Sequence, residues 1–179
     1  MSKVGRRVIP LRGVKVEIKG QEIHFSGKHA TGVHTLPDNL IASIENETLK
    51  LAGVSMDREV RMAWGLHRAL VANKIAGAHE LFQKQVIITG LGYKAIVKGS
   101  SLEFSLGFSH KKNEKIPKEV SVEVDKTGQI LTFKSADNEL LGKVCGDLRR
   151  LKPTEPYKGT GVKLATDIII RKAGKTKGA

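Results

Sequence analysis

Val16-Glu17-Ile18-Lys19-Gly20-Gln21-Glu22-Ile23-His24-Phe25-Ser26-Gly27 alternates apolar and polar residues on either side of a glycine. With Val14 leading in, a period of two places every second side chain on one face of a strand, and Gly20-Gln21 supplies the turn. Lys94-Ala95-Ile96-Val97-Lys98-Gly99-Ser100-Ser101-Leu102-Glu103-Phe104-Ser105-Leu106-Gly107 repeats that grammar with limited identity, turning at Gly99-Ser100-Ser101. A hairpin written twice predicts one module present in two copies.

The flanking sequence keeps the same order in both halves. In the first, Leu36-Pro37 leads into short strands over 40–44 and 49–51. From Asp57 the period lengthens, and Val60, Ala63, Trp64, His67, Leu70, Val71 and Ile75 mark one helical stripe. Ser55 or Asp57 caps its start and Gly77 marks its stop. In the second half, residues 86–88 open the module, Ile116-Pro117 mirrors Leu36-Pro37, and Val120-Val122-Val124 alternates. Thr127-Gly128 then turns toward 130–133, and Asp137 caps a helix with Leu140, Leu141, Val144, Cys145, Leu148 and Leu151 on one face. The expectation is an α+β fold of two tandem similar modules, each an antiparallel sheet packed by one helix, plus a basic C-terminal tail. The modules span 1–81 and 82–152 and the tail 153–179, with the junction near 79–85.

Charge indicates the partner. The 179 residues carry 31 Lys+Arg against 18 Asp+Glu, a net charge of +13. Residues 1–81 hold 12 basic and 8 acidic side chains, and residues 82–179 hold 19 and 10. From Arg149 onward there are 9 basic and 2 acidic, so the excess is mostly C-terminal. Such a balance points to a polyanion, nucleic acid before an anionic membrane. At 40% hydrophobic the chain can bury a core. No apolar run approaches the roughly 18 residues of a membrane span, and the opening residues lack a signal-peptide core. The single cysteine, Cys145, excludes an intramolecular disulfide and fits a reducing compartment.

Catalytic and cofactor motifs are incomplete. Gly174-Lys175-Thr176 mimics the end of a phosphate loop, but Ile169 stands where that loop requires glycine. Gly90-Leu91-Gly92 lacks a third glycine and a following helix, so it reads as a bend in a sheet. His24, His29 and His34 recur every five residues, yet a strand followed by a loop does not put three rings on one face. They read as scattered surface histidines, His67 as a packed one, and Cys145 as a buried thiol. Acidic residues are dispersed, with no carboxylate pair or nucleophile–base set. The reading is a binder and not an enzyme, with no cofactor, no metal, no membrane and no small-molecule substrate.

The binding residues gather late in the chain. Arg149-Arg150-Leu151-Lys152-Pro153-Thr154-Glu155-Pro156-Tyr157-Lys158-Gly159-Thr160-Gly161-Val162-Lys163 runs from a cationic helix end into two prolines that forbid more helix. Gly159 and Gly161 permit close approach to a partner, Lys158 and Lys163 bring charge, and Tyr157 a flat face. Ser109-His110-Lys111-Lys112-Asn113 reads as an exposed loop after a strand. The segment after Pro153 is expected to add little to a core, to be mobile alone and to order on RNA. Aromatics are only 4%, which disfavours a base-stacking sheet and favours reading phosphates and shape. If about five phosphates are neutralised, the slope of log affinity against log salt is about −3.5 to −4.5.

Residues 155–162 resemble the signature of the bacterial-type large-subunit ribosomal protein L-six family, Glu-Pro-Tyr-Lys-Gly-Lys-Gly-hydrophobic. The departure is Thr160, where the family usually has lysine; it removes one charge but keeps a hydroxyl that can donate to phosphate. Leu106-Gly107-Phe108-Ser109-His110 and Gly90-Leu91-Gly92-Tyr93 also resemble family runs, as do Arg68-Ala69-Leu70 and Asn73. Leu81, before Phe82, and the run 164–168 differ from the family's usual residues. The resemblance implies the duplicated layout and a structural role in the large ribosomal subunit. It implies that the second module and tail grip large-subunit ribosomal RNA near the sarcin-ricin loop, beside neighbouring ribosomal proteins and the docking site of translational GTPases. The contacts expected in this chain are Lys111, Lys112, Arg149, Arg150, Lys152, Tyr157, Lys158, Gly159, Gly161, Lys163, Arg171, Lys172, Lys175 and Lys177. The expected location is the ribosome, in a cytoplasm or an organelle's stroma or matrix. The alternative is a nucleoid-like basic protein that binds nucleic acid outside the ribosome.

Overall fold

A computed structural model describes residues 3–55 and 57–174. The chain divides into two compact units, the first up to Leu81 with Ala136–Asn138, the second Phe82–Ser135 and the chain from Glu139 on. The first contains β1 (Ile9–Pro10), β2 (Lys15–Lys19), β3 (Glu22–Ser26), β4 (Thr31–Thr35), β5 (Leu40–Glu45), β6 (Thr48–Gly53) and α1 (Arg58–His79). β2 and β3 pair antiparallel with Lys19 opposite Glu22, so two residues make the turn. Gly20 takes φ 61° there, the left-handed region that so short a hairpin requires. The strands form two sheets, ordered β2-β3-β4 and β1-β6-β5.

Helix α1 starts after Asp57, whose backbone is extended while its carboxylate accepts a 2.6 Å hydrogen bond from the Ser55 hydroxyl. Val60, Val71, Ile75 and Ala78 are buried in the first core with Ile9, Ile23, Leu40 and Leu49. The indole of Trp64 packs there and donates to the Leu51 carbonyl at 2.7 Å. The helix passes through the expected stop at Gly77, which is buried, and ends at His79. The His29 amide donates to the Ala78 carbonyl at 3.1 Å, so a loop rather than a glycine satisfies the helix end.

The second unit contains β7 (Phe82–Thr89), β8 (Lys94–Lys98), β9 (Ser101–Ser105), β10 (Lys112–Lys115), β11 (Ser121–Val124), β12 (Ile130–Ser135), α2 (Asn138–Leu151) and β13 (Gly161–Leu164). Its sheets are ordered β10-β9-β8 and β11-β12-β7-β13. The first matches β2-β3-β4, with Gly99 at φ 58° in the equivalent turn. In the second, the β11–β12 hairpin and β7 correspond to β5–β6 and β1, and β13 is an addition. The α+β class and the repeated modules stand, with two sheets and one helix in each. Leu141, Cys145 and Leu148 of α2 are buried against Phe104, Leu131 and Phe133, with Leu140, Val144 and Leu151 packed at the margin.

Two expectations about the second unit are corrected. Lys112 and Asn113 lie in β10, paired with Phe104 and Glu103, not in a free loop. The segment after Pro153 does build core: Val162 is completely buried, Leu164 packs beside it, and β13 pairs with β7. Because β7 has β12 on one side only, its other edge carries unpaired backbone groups that a further strand can satisfy.

Candidate nucleic-acid interface

Pro153 ends α2, and Lys152, just before it, organises the end of that helix. Its ammonium donates to the Tyr93 hydroxyl at 2.6 Å and the Leu106 carbonyl at 2.7 Å. It also lies 4.7 Å from the centroid of Tyr93 and 4.9 Å from that of Phe108. Lys112 sits 4.2 Å from the same Phe108 centroid and donates to the Leu151 carbonyl at 3.5 Å. Both cations therefore stand at the C-terminal end of α2, where helix carbonyls lack partners and favour positive charge. A Cβ at Gly90 would fall 2.4 Å from the Tyr93 ring, so glycine there makes the slot that ring occupies.

Residues 153–161 form a closed loop. The Glu155 amide donates to the Thr160 carbonyl at 3.0 Å, the Gly159 amide to the Glu155 carbonyl at 2.9 Å, and the Val162 amide to the Lys152 carbonyl at 2.8 Å. At Gly161, φ is 140° and a Cβ would meet the Pro153 oxygen at 2.7 Å. The glycine expected to admit a partner instead lets the loop close on its own neck. Thr160 donates its hydroxyl to the Glu155 carboxylate at 3.4 Å. Tyr157 and Lys158 remain exposed at the tip.

Beyond β13 the extended chain returns to this loop. The Lys172 amide donates to the Pro156 carbonyl at 3.0 Å, and the Arg171 guanidinium comes within 3.2 Å of where a Gly159 Cβ would stand. Arg149 pairs with Asp167 at 3.4 Å, and the same carboxylate accepts the Leu164 amide at 3.1 Å. Arg149, Pro153, Thr154, Asp167, Ile168 and Ile169 line a groove of about 350 Å³. Arg150 pairs with Asp147 at 3.1 Å and stays largely exposed.

The expected residues thus fall into three groups. Tyr157, Lys158, Gly159 and Gly161 belong to the closed loop, where both glycines are buried and Gly159 lies under Arg171, and Arg149, Arg150, Arg171 and Lys172 lie around it and the end of α2. Lys152 and Lys112 stand beneath that end, with Lys152 committed to internal partners. Lys163 lies in β13 opposite Ile87, and Lys111 is bound to Glu103 at 2.8 Å on another sheet. Lys175 and Lys177 lie outside the described residues. Sequence reasoning did not place Tyr93, Phe108 or Asp167 at the site. Its available signals were the Gly90-Leu91-Gly92-Tyr93 run and an aromatic residue shortly before the basic stretch.

The histidine reading needs one correction: His34 is buried, only 7% exposed. Lys74 donates to its Nδ1 at 3.2 Å, and its Nε2 lies 3.0 Å from Nδ1 of His67. Since an ammonium cannot accept, His34 carries its proton on Nε2 and donates it to His67. Burial, then Lys74, then His67 lower the His34 pKa to about 4. Cys145 is buried, which pushes its thiol pKa up. Among the described residues, no group of three or more His, Cys, Asp or Glu side chains is placed to hold a metal. No helix of the described residues is long and apolar enough to cross a membrane.

Arg149, Arg150, Lys158 and Arg171 thus gather at the closed loop and the end of α2, a basic surface on a unit built of two sheets and one helix. The sequence model of the family Ribosomal protein L6 matches residues 89–164, which include the Tyr93 slot, α2 and the closed loop. The chain is 42% identical to Large ribosomal subunit protein uL6 of Wolinella succinogenes over 178 residues, 98% of each chain. It is 40% identical to the protein of that name from Methylacidiphilum infernorum, over 98% of each. With that of Beijerinckia indica it shares 36% over 179 residues, 99% of this chain and all of the relative. The chain belongs to the ribosomal protein L6 family, whose members are structural ribosomal components and not enzymes.

Proposed function

We propose that this chain is a structural constituent of the large ribosomal subunit and binds large-subunit ribosomal RNA through its second unit. The supporting observation is the basic end of that unit, where Arg149, Lys158, Arg171 and Lys172 surround a loop already closed by its own hydrogen bonds. A preformed loop loses little conformational freedom on binding, so its charges act on the phosphate backbone without a large ordering cost. By family resemblance, the RNA lies near the sarcin-ricin loop, with other large-subunit proteins as neighbours and translational GTPases docking beside it. The site of action is then the cytoplasmic ribosome. Lys152 holds Tyr93 and Phe108 in place beneath the contact surface, and the cations around it meet phosphate.

The test is competition binding of the full chain to deproteinised large-subunit ribosomal RNA against duplex DNA at equal ionic strength. Preference for the ribosomal RNA, with protection of the sarcin-ricin region in a footprint, is the expected result. Equal affinity for duplex DNA would instead support a nucleoid-like binder.

A further inference from the structure

In β9, Leu102 and Phe104 point into the core, so Ser101, Glu103 and Ser105 point outward. Across the ladder, Glu103 stands opposite Ile96 of β8 and Asn113 of β10. The alternation therefore brings Lys94 and Lys98 of β8, and Lys115 of β10, to the same outer face. Lys111, immediately before β10, reaches it as well. Four lysines share this sheet face with a single carboxylate.

That carboxylate is an unusual centre. The Glu103 side chain is only 9% exposed, while those of Lys98 and Lys111 remain 59% and 61% exposed. Lys98 donates to one carboxylate oxygen at 2.6 Å and Lys111 to the other at 2.8 Å. Hydrogen bonds from Lys111 and then Lys98 hold the acid below the usual carboxylate range. Each ammonium spends one of its three donors on Glu103 and keeps the others for solvent. Lysine normally loses much rotamer freedom when it grips a partner. Here one nearly buried anion fixes two exposed cations in advance, one on each of its oxygens.

We propose that the outer face of the β8-β9-β10 sheet is a second phosphate-binding surface, with Glu103 holding Lys98 and Lys111 as a two-ammonium clamp on the RNA backbone. It rests on the RNA-binding reading above and adds contacts on a sheet other than the one that β13 and the closed loop join. Glu103 is a positioning residue: it lowers the net charge of the face by one, yet strengthens binding by fixing both ammonium groups.

The experiment measures salt-dependent binding of full-length chains to deproteinised large-subunit ribosomal RNA. Lys98→Gln/Lys111→Gln should lower affinity and reduce the salt slope by about 2. Lys15→Gln/Lys19→Gln, with the same charge loss on the first unit, should leave the slope unchanged. Adding Glu103→Gln to the first pair removes the buried acid left without partners; this triple variant guards against unfolding and should show the same slope loss. Glu103→Gln alone should weaken binding although it removes a negative charge, whereas equal or tighter binding overturns the clamp. A slope unchanged in the double and triple variants, with normal binding by the unsubstituted chain, also overturns the clamp alone. Failure of the unsubstituted chain to bind overturns the RNA-binding reading and the clamp with it.

Discussion

Lys152 donates a 2.6 Å hydrogen bond to the hydroxyl of Tyr93, 59 residues earlier in the chain. That bond ties the end of α2 to the bend before β8, and the same ammonium also satisfies the Leu106 carbonyl. A residue that sequence assigns to phosphate contact is thereby spent on holding the second unit together. Tyr93→Phe should cost about 1.5–3 kcal/mol in urea unfolding, the value of one hydrogen bond to a charged group, and Lys152→Met should cost more because two such bonds are lost. An unchanged midpoint in Lys152→Met would show that the ammonium is not structural.

The neck of the closed loop depends on Gly161. Its φ of 140° and the 2.7 Å approach of the Pro153 oxygen leave no room for a Cβ. Gly161→Ala should destabilise the second unit by about 1–3 kcal/mol. It should also speed hydrogen exchange at the Val162 and Glu155 amides, which close the loop. Protection equal to that of the unsubstituted chain would contradict the close-approach argument.

Acid should weaken the first unit through His34. Its pKa is about 4 when folded, against an ordinary value of 6.5, so the neutral ring is the native form. The unfolded chain takes up a proton first as pH falls. The contribution is therefore present above about pH 6.5 and is lost as pH falls to about 4. Its size is at most about 3 kcal/mol. His34→Gln, neutral throughout, should flatten the stability profile between those limits, and an identical loss in both proteins would exclude His34 as the source.

Surface cations should act on binding and not on folding. Lys158→Gln and Arg171→Gln should each reduce the salt slope of RNA binding by about 1, with little change in melting temperature. Lys152→Met should show the opposite pattern, a lower melting temperature with a smaller effect on slope. Equal slope changes in all three would mean that Lys152 also contacts phosphate.

The two hairpins were legible because alternation and a turn glycine are local signals, and β2–β3 and β8–β9 carry both. The α2 stripe was legible for the same reason, since Leu141, Cys145 and Leu148 repeat at helical spacing. β10 was not: Lys112-Asn113-Glu114-Lys115 has no apolar alternation and is a strand because β9 offers it an edge. β13 escaped because its glycine and lysine dilute Val162, whose burial depends on the distant β7. His34 escaped because its neighbours His67 and Lys74 lie a helix away in sequence. Local periodicity therefore defined the repeated frame, while long-range pairing determined which cations serve the frame and which face outward.

The most direct test of a structural role in the large subunit is sedimentation of a cell lysate through sucrose gradients at moderate and then high salt, probing for this chain. Stoichiometric migration with large subunits that survives the high-salt wash is predicted, because salt strips incidental basic proteins held by charge alone, whereas an assembled component is also held by its fit. Absence from that peak, or loss at modest salt, would contradict that role.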